Sequence, residues 1–303
     1  MATSPNLTVG FVGLGSMGLR MARNLVRAGY MVKGYDINPQ SVEAFAQAGG
    51  IAAGTVADAA QDVDVLLLVV VNARQVEDVL YGAGEAVQHL RPGSVVAVHS
   101  TVEPDYVRGL APRLYDAGLE LVDAPISGGV PGAEGGTLAI MASGHPAAFD
   151  RVRPLFDVMG KNVFVMGEEC GLGATMKVVN QLLCGVHIAA AAEAIALAAQ
   201  AGIDSQNVFD VISTSAANSW MFQDRVPRMI SGDYTTTSAV DIFVKDLGIV
   251  LDTGQASHFP LPLAAAAHQL FIMASAAGHG LEHDSAVVKV YEQLTGVDVK
   301  SKS

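Results

Sequence analysis

The chain has 303 residues, of which 50% are hydrophobic and 16% are charged, and its formal net charge at pH 7 is -12. Such a chain can bury a sizeable core, so its composition excludes an intrinsically disordered or collagen-like protein. The chain has 18 Lys and Arg against 30 Asp and Glu, and it has no basic cluster. We therefore expect neither nucleic acid nor anionic membranes as partners.

The N-terminal segment and the cysteines predict a cytoplasmic protein. The segment MATSPNLTVGFVG has no Lys or Arg before its apolar stretch, so it does not have the pattern of a secretory signal. Two cysteines are too few for a disulfide framework. The longest uncharged run, residues 253–281, contains two prolines and three histidines, which favours a soluble helical region over a membrane span.

The first half of the chain alternates short β-rich apolar runs with stretches of helical periodicity. This alternation predicts an α/β, Rossmann-type, doubly wound domain with a parallel sheet and helices on both faces. Runs such as VDVLLLVVV predict strands that are buried on both faces. The predicted strands cover residues 7–12, 31–35, 63–71, 94–98 and 119–122, and the predicted helices cover residues 16–28, 39–48, 73–82 and 103–116.

The β pattern ends after residues 163–165, and the remaining sequence predicts helices only. The first of them, from about residue 171 to 201, is apolar nearly all round, so we expect it to be the spine of the domain and of an oligomer. The sequence therefore predicts a Rossmann domain over residues 1–167 and an all-helical substrate and dimerisation domain over residues 168–303.

A glycine-rich turn follows the first predicted strand. The segment TVGFVGLGSMG places Gly13, Gly15 and Gly18 in G-x-G-x-x-G spacing at the start of a helix, where a pyrophosphate can bind. Asp36 ends the second strand, 18 residues after Gly18, and a carboxylate there binds a ribose diol and repels a 2′-phosphate. The alternative is that the glycines only make a turn, but the complete βαβ context favours NAD as cofactor.

A second glycine-rich segment, DAPISGGVPGAEGGT, follows the strand over residues 119–122. Ligands of open α/β sheets bind at the carboxyl ends of strands. Successive N–H groups of Ser127, Gly128 and Gly129 can bind a substrate carboxylate. The alternative interpretation is a flexible surface loop.

Lys177 lies in the predicted spine helix, where Glu193 is the only other charged residue between Cys170 and Ile203. Apolar surroundings disfavour an ammonium ion and lower the pKa of a lysine, which suits a residue that takes and returns a proton. Asn180 and Gln181 follow three and four residues later, on the same helical face. The alternative is a lysine that extends to water from the start of the helix.

Lys245, in the segment DIFVKDLGIVLD, precedes Asp246 on a later predicted helix. Taken alone, this pair is typical of a solvated lysine beside a neighbouring acid. The histidines and cysteines have neither metal-ligand nor nucleophile-base spacing, so we predict no metal site.

Four separated motifs, in this order, resemble the β-hydroxyacid dehydrogenase family, which includes 3-hydroxyisobutyrate, tartronate-semialdehyde and 6-phosphogluconate enzymes. The similarity covers nearly the whole chain. The motifs are GFVGLGSMG, DAPISGG, GLGATMKVVNQ and FVKDLGIVLD.

This resemblance implies a role for each motif. Lys177 is similar to the family's catalytic lysine and Asn180 to its partner, and the segment of Ser127, Gly128 and Gly129 corresponds to the substrate carboxylate site. Gln181 is implied in substrate binding, and Lys245 in binding both substrate and cofactor. The implied NAD-binding residues are Gly13, Gly15, Ser16, Met17, Gly18, Asp36, Asn72, Thr101 and Lys245.

The substrate branch is implied by two departures from the usual family pattern. With Asn72 and Gln181 at these positions, the chain resembles the branch of the family that oxidises L-threonate, a four-carbon sugar acid, at C2. The rival substrates are 3-hydroxyisobutyrate and tartronate semialdehyde, and the alternative from another class is an NAD(H)-binding redox sensor without turnover. The resemblance also implies a homodimer or homotetramer.

Overall fold

The computed structural model describes residues 7–300. The chain forms two compact units, which divide between Lys177 and Val178. The boundary between residues 167 and 168 stays a prediction about the functional domains. We describe each unit by itself.

A nine-stranded sheet forms the centre of the first unit within the described residues, in the order β3-β2-β1-β4-β5-β6-β8-β7 with β9 paired to β8. The strands from β3 to β6 in this order are parallel, which confirms the predicted doubly wound sheet. β8 is antiparallel to β6 and β7 and parallel to β9. The strands are β1 (Thr8–Val12), β2 (Met31–Tyr35), β3 (Ile51–Ala52), β4 (Val65–Leu68), β5 (Val95–Val98), β6 (Glu120–Asp123), β7 (Ile126–Ser127), β8 (Leu138–Gly144) and β9 (Gly160–Gly167).

Helices cover both faces of this sheet, because its central strands present apolar side chains to both faces. In β4, Val65 and Leu67 belong to the core on one face, and Leu66 and Leu68 belong to the core on the other. The helices of this unit are α1 (Gly18–Arg27), α2 (Pro39–Gln47), α3 (Val56–Ala60), α4 (Ala73–Leu80), α5 (Ala86–His89), α6 (Pro104–Asp116), α7 (Gly129–Gly135) and α8 (Pro146–Met159).

The second unit is helical, as the sequence predicts. Its core includes Ile188, Phe222, Phe243 and Phe271, and the last two rings stack with their centroids 5.0 Å apart. Helix α9 begins in the first unit and continues into the second. The helices are α9 (Leu172–Gln200), α10 (Ser205–Ser213), α11 (Trp220–Ser231), α12 (Val240–Ala256), α13 (Pro262–Ala274) and α14 (Lys289–Thr295), with a π-helical turn (Ser275–His279) and a 3₁₀ turn (Asp284–Val288).

Helix α9 has 29 residues, and by length and composition alone it is long and apolar enough to cross a membrane. In its most apolar stretch, 44% of the residues are buried inside the protein. The core helix of a globular protein has the same length and composition, so this property is weak support for a membrane span.

Candidate active site

The glycine-rich turn between β1 and α1 has the geometry of a dinucleotide site. Gly13 has a φ of +99°, and a Cβ added there would lie 2.3 Å from the Val69 carbonyl oxygen. A Cβ added to Gly18 would lie 1.9 Å from the Gly13 carbonyl oxygen, so strand and helix pack closely here. By contrast, an added Cβ at Gly15 meets no atom within 4 Å. The turn is thus tight at both ends and open in the middle, where a pyrophosphate would lie.

The start of α1 suits an anion. Its N-cap residue, Met17, makes no side-chain cap hydrogen bond. The first N–H groups of a helix need acceptors, and the helix dipole favours a negative group at this end. Ser16 is exposed and Met17 is partly buried, so both predicted cofactor residues lie on the accessible part of the turn.

Asp36 lies beside the same turn. One carboxylate oxygen accepts the N–H of Leu14 at 2.6 Å, and the other accepts the N–H of Asn38 at 2.8 Å. The carboxylate is therefore held at the end of β2 with a defined direction. Because a carboxylate has about four acceptor positions, these two bonds are compatible with a ribose diol as a further donor. The residues present here fit NAD.

The predicted cofactor residues Asn72 and Thr101 follow β4 and β5. The Asn72 side chain accepts the N–H of Gln75 at 2.9 Å and caps α4. Beside Thr101, the Ser100 hydroxyl accepts the N–H of Val70 at 3.0 Å, which joins the ends of the two strands. Both predicted residues lie at the carboxyl edge of the sheet, where ligands of this fold class bind.

Lys177 is buried, with 7% of its surface exposed. Its Nζ donates a hydrogen bond of 2.8 Å to the carbonyl oxygen of Ile126, the residue directly before Ser127. The amine therefore lies next to the predicted carboxylate segment and does not extend into bulk water. This position fits a proton-transfer group, and the role of Lys177 stays a prediction.

The segment after Ser127 is helical, and the possibility of a flexible loop is wrong for residues 129–135. Gly128 has a φ of +132° and Gly129 a φ of +60°, conformations that side chains rarely allow, and α7 begins at Gly129. Helix propensity of these residues is low, but tertiary contacts override it. Ala133 is buried, and its carbonyl accepts the Asn24 amide at 2.8 Å.

In the second unit, a chain of polar contacts joins three predicted site residues. Asn180 donates to the Gln181 amide oxygen at 2.9 Å, and Gln181 donates to the Asp246 carboxylate at 2.5 Å. The other carboxylate oxygen of Asp246 forms an ion pair with Lys245 at 2.5 Å. Asp246 is 2% exposed and Gln181 is 7% exposed, so this pairing is not a solvated surface contact.

Three buried polar residues near the predicted site segments were not assigned roles from the sequence. Asp246 joins Gln181 to Lys245, and Asp123 accepts N–H groups at the start of α9. His99 donates from Nδ1 to the Ala124 carbonyl at 2.6 Å, and burial lowers the pKa of His99 to about 4, so its ring is neutral at physiological pH. A charged or imidazole group at the end of a buried strand is the sequence signal that could have identified His99 and Asp123.

Comparison with known proteins gives consistent matches over both units. Residues 8–167 match the family model for the NAD-binding domain of 6-phosphogluconate dehydrogenase. Residues 171–291 match the model described as the NAD-binding domain of NADP-dependent 3-hydroxyisobutyrate dehydrogenase.

Individual relatives match over nearly their full length. The chain is 47% identical to an L-threonate dehydrogenase of Cupriavidus necator, covering 97% of this chain and 98% of that protein. It is also 47% identical to the L-threonate dehydrogenase of Escherichia coli K12, covering 99% and 100%. A crystal structure of a 3-hydroxyisobutyrate dehydrogenase from Salmonella typhimurium has a TM-score of 0.89 and 48% identity, covering 94% and 99%.

Proposed function

Because this chain belongs to the 3-hydroxyisobutyrate dehydrogenase-like family of NAD-dependent hydroxyacid dehydrogenases, we propose that it oxidises L-threonate at C2 to 2-oxo-tetronate. The prediction of an NAD-dependent enzyme, as opposed to a redox sensor, is confirmed by its dehydrogenase relatives. The observation that carries the choice of substrate is the 45–47% identity to several L-threonate dehydrogenases over nearly the whole chain.

The proposed mechanism assigns the proton transfer to Lys177. In its neutral form, the Lys177 amine accepts the proton of the C2 hydroxyl, and in reduction the ammonium form returns it. The hydrogen bond to Ile126 fixes the direction of the amine. Bound NAD supplies the hydride acceptor. The charged product of the proton transfer is a buried ammonium, so a nearby carbonyl oxygen that accepts its N–H bond lowers the cost of forming it.

The remaining proposed roles are those that the family resemblance implies, and the chemistry of each group is compatible with them. The N–H groups of the segment Ser127 to Gly129 bind the substrate carboxylate. Asn180 orients the hydroxyl or the amine, and Lys245 binds substrate and nicotinamide. Gln181 contacts Asn180 and Asp246 with its own amide, so its contribution to substrate binding passes through the orientation of Asn180.

The substrate is tested by initial rates with NAD on L-threonate, 3-hydroxyisobutyrate and glycerate. We expect kcat/KM for L-threonate to exceed the other two values by about tenfold or more, because polar groups left unpaired by a smaller substrate reduce transition-state binding. Tartronate semialdehyde with NADH tests the reverse reaction. If kcat/KM is higher for 3-hydroxyisobutyrate or for tartronate semialdehyde, that compound and not L-threonate is the preferred substrate, and the proposal is wrong.

We further propose a cytoplasmic homo-oligomer, a homodimer or homotetramer, that pairs through α9. Exposed apolar residues follow one face of this helix at intervals of three, four and seven residues: Val179, Leu183, Ala190, Ala194 and Leu197. This spacing suits packing against a second copy of the same helix, and the alanines permit close approach. An exposed apolar stripe of this length on a soluble protein is typical of an interface.

The double variant Leu183→Glu/Leu197→Glu should sediment as a smaller species than the parent protein, because two charges per chain would be buried in the interface. Sedimentation velocity over a range of concentrations measures this. Val211→Glu is the control, since Val211 is 63% exposed on α10 and lies outside the stripe. A parent protein that remains monomeric at every concentration would contradict the proposal.

A further inference from the structure

The Asp123 carboxyl group joins the end of β6 to the start of α9. It is fully buried, and one oxygen accepts the N–H of Gly171 at 3.1 Å and the N–H of Ala174 at 2.7 Å. These N–H groups belong to the beginning of α9, where a helix leaves its first donors without internal acceptors. Asp123 therefore acts as a helix cap supplied from a distant strand, 48 and 51 residues earlier in the sequence.

The same strand end contacts α9 a second time, through Lys177. Ile126 lies three residues after Asp123, and Lys177 lies three residues after Ala174. The Asp123 carboxyl contacts Ala174, and the Ile126 carbonyl contacts Lys177 at 2.8 Å. Two contacts thus hold one helical turn against one short segment, and the second of them fixes the amine.

Ser143 and Gly173 show that the contact between Asp123 and the start of α9 is closely packed. The Ser143 hydroxyl accepts the N–H of Gly173 at 3.0 Å and donates to Asp123 at 3.3 Å. A Cβ added to Gly173 would lie 2.4 Å from the Met141 carbonyl oxygen and 3.0 Å from the Asp123 carboxyl oxygen. The helix can approach the strands this closely only because residue 173 is glycine.

We propose that Asp123 is a positioning residue for Lys177: it sets the distance between the first turn of α9 and β6, and thereby places the amine at Ile126. The proposal rests on the proposed function, in which Lys177 transfers the proton. Asp123 contacts backbone N–H groups and Ser143, so it acts through the helix and not on the reacting atoms.

The protonation of Asp123 is governed by opposing effects. Burial raises the pKa of the Asp123 carboxyl to about 6, while the N–H groups of Ala174 and Gly171 and the Ser143 hydroxyl lower it. The donors stabilise the carboxylate, so the group retains a negative charge at the N-terminus of α9 above this pKa, where the helix dipole favours it.

The test compares Asp123→Ala with Asp123→Asn, using the hydroxy acid that reacts fastest with the parent enzyme. Asp123→Ala should lower kcat by about tenfold or more, with the dissociation constant of NAD and the KM for the hydroxy acid changed by less than about threefold. Asparagine has an acceptor oxygen of the same reach and is a good helix cap, so Asp123→Asn should restore kcat to within about threefold of the parent value.

A purely structural role predicts a different result. In that case, Asp123→Ala would lower the melting temperature but leave kcat of the folded enzyme within about twofold of the parent value, and this outcome would overturn the proposal. If Asp123→Ala yields no folded protein, Asp123→Ser carries the test with the same expectations. A serine hydroxyl can accept a helix N–H group, but it lies closer to its own backbone than a carboxyl oxygen does, so it should not hold α9 at the same distance from β6.

Two controls complete the experiment. Asp64→Ala removes a carboxylate that accepts the N–H of Thr8 at 2.9 Å in the same unit, and it should change stability without changing kcat. Lys177→Met is measured in parallel. If Lys177→Met retains turnover, the proposed function fails; if Lys177→Met is inactive while Asp123→Ala is fully active, only the positioning role fails.

Discussion

Replacing Lys177 with methionine should lower kcat by about a hundredfold or more and leave the affinity for NAD nearly unchanged. Methionine has a similar length and fits apolar surroundings, so it removes the amine with little change in packing. The predicted NAD contacts lie at the glycine turn, at the ends of β2, β4 and β5 and at Lys245, and not at Lys177. Stopped-flow or steady-state rates give kcat, and calorimetric titration gives the dissociation constant of NAD.

The thermal stability of Lys177→Met must be measured together with its kcat. Lys177→Met leaves the Ile126 carbonyl without the donor that now contacts it at 2.8 Å. An unsatisfied buried acceptor costs about 1–3 kcal/mol, so the melting temperature should fall, and kcat is to be compared at a temperature where the variant is folded. Lys161→Met is the matched control, because Lys161 is an exposed residue of β9.

A chemical experiment separates proton transfer from packing. In Lys177→Ala, an added primary amine such as methylamine should restore part of the lost turnover, with a rate that increases with the concentration of the unprotonated amine. Near-normal turnover in Lys177→Met without added amine would remove the lysine from the mechanism. If no added amine restores turnover in Lys177→Ala, altered packing at this position, and not the loss of a proton-transfer group, explains the lower kcat.

The sequence predicts the central strands well because their physical signal is local. Val65, Leu66, Leu67 and Leu68 form a continuous apolar run, and the structure buries them on alternate faces of the sheet. Helix α7 has no such signal, since glycine disfavours helices and the contacts that stabilise this one are tertiary: Gly132 and Ala133 are buried, and the Ala133 carbonyl accepts the Asn24 amide. Strand β8 was not predicted either, although it lies between β6 and β7.

The candidate site shows the same division between local and distant information. The scarcity of charged residues in α9 identifies Lys177, but its acceptor is a backbone carbonyl, which no residue type reveals. Gln181 and Asp246 are 65 residues apart in the sequence, so their hydrogen bond depends on how α9 and α12 pack. A side chain's chemistry can thus be predicted from the sequence, while the partner that orients it requires the fold.

The variant Gly15→Ala should weaken NAD binding by about a hundredfold, or about 2.7 kcal/mol, without changing the stability of the cofactor-free protein. Its φ lies outside the left-handed region, and an added Cβ meets no protein atom within 4 Å. The new methyl group would therefore occupy space that the protein leaves open, at the position where backbone approaches a pyrophosphate. Calorimetry with NAD and thermal melts with and without NAD measure the two quantities.

Gly109→Ala is the matched control for this prediction. An added Cβ at Gly109 also meets no atom within 4 Å, and Gly109 lies inside α6. Alanine in a helix interior should stabilise the protein by about 0.5–1 kcal/mol and leave NAD affinity unchanged. The contrast isolates the methyl group at the turn from the general effect of replacing glycine by alanine.

The two glycine variants and Lys177→Met together separate binding from chemistry. Gly15→Ala should lose most of the increase in melting temperature that NAD produces, because the stabilisation by a ligand grows with the logarithm of its concentration divided by its dissociation constant. Lys177→Met should retain that increase while losing turnover. Should Gly15→Ala bind NAD as tightly as the parent, the open space above Gly15 would not hold the pyrophosphate, and the assignment of Ser16, Met17 and Gly18 to the cofactor would fail with it.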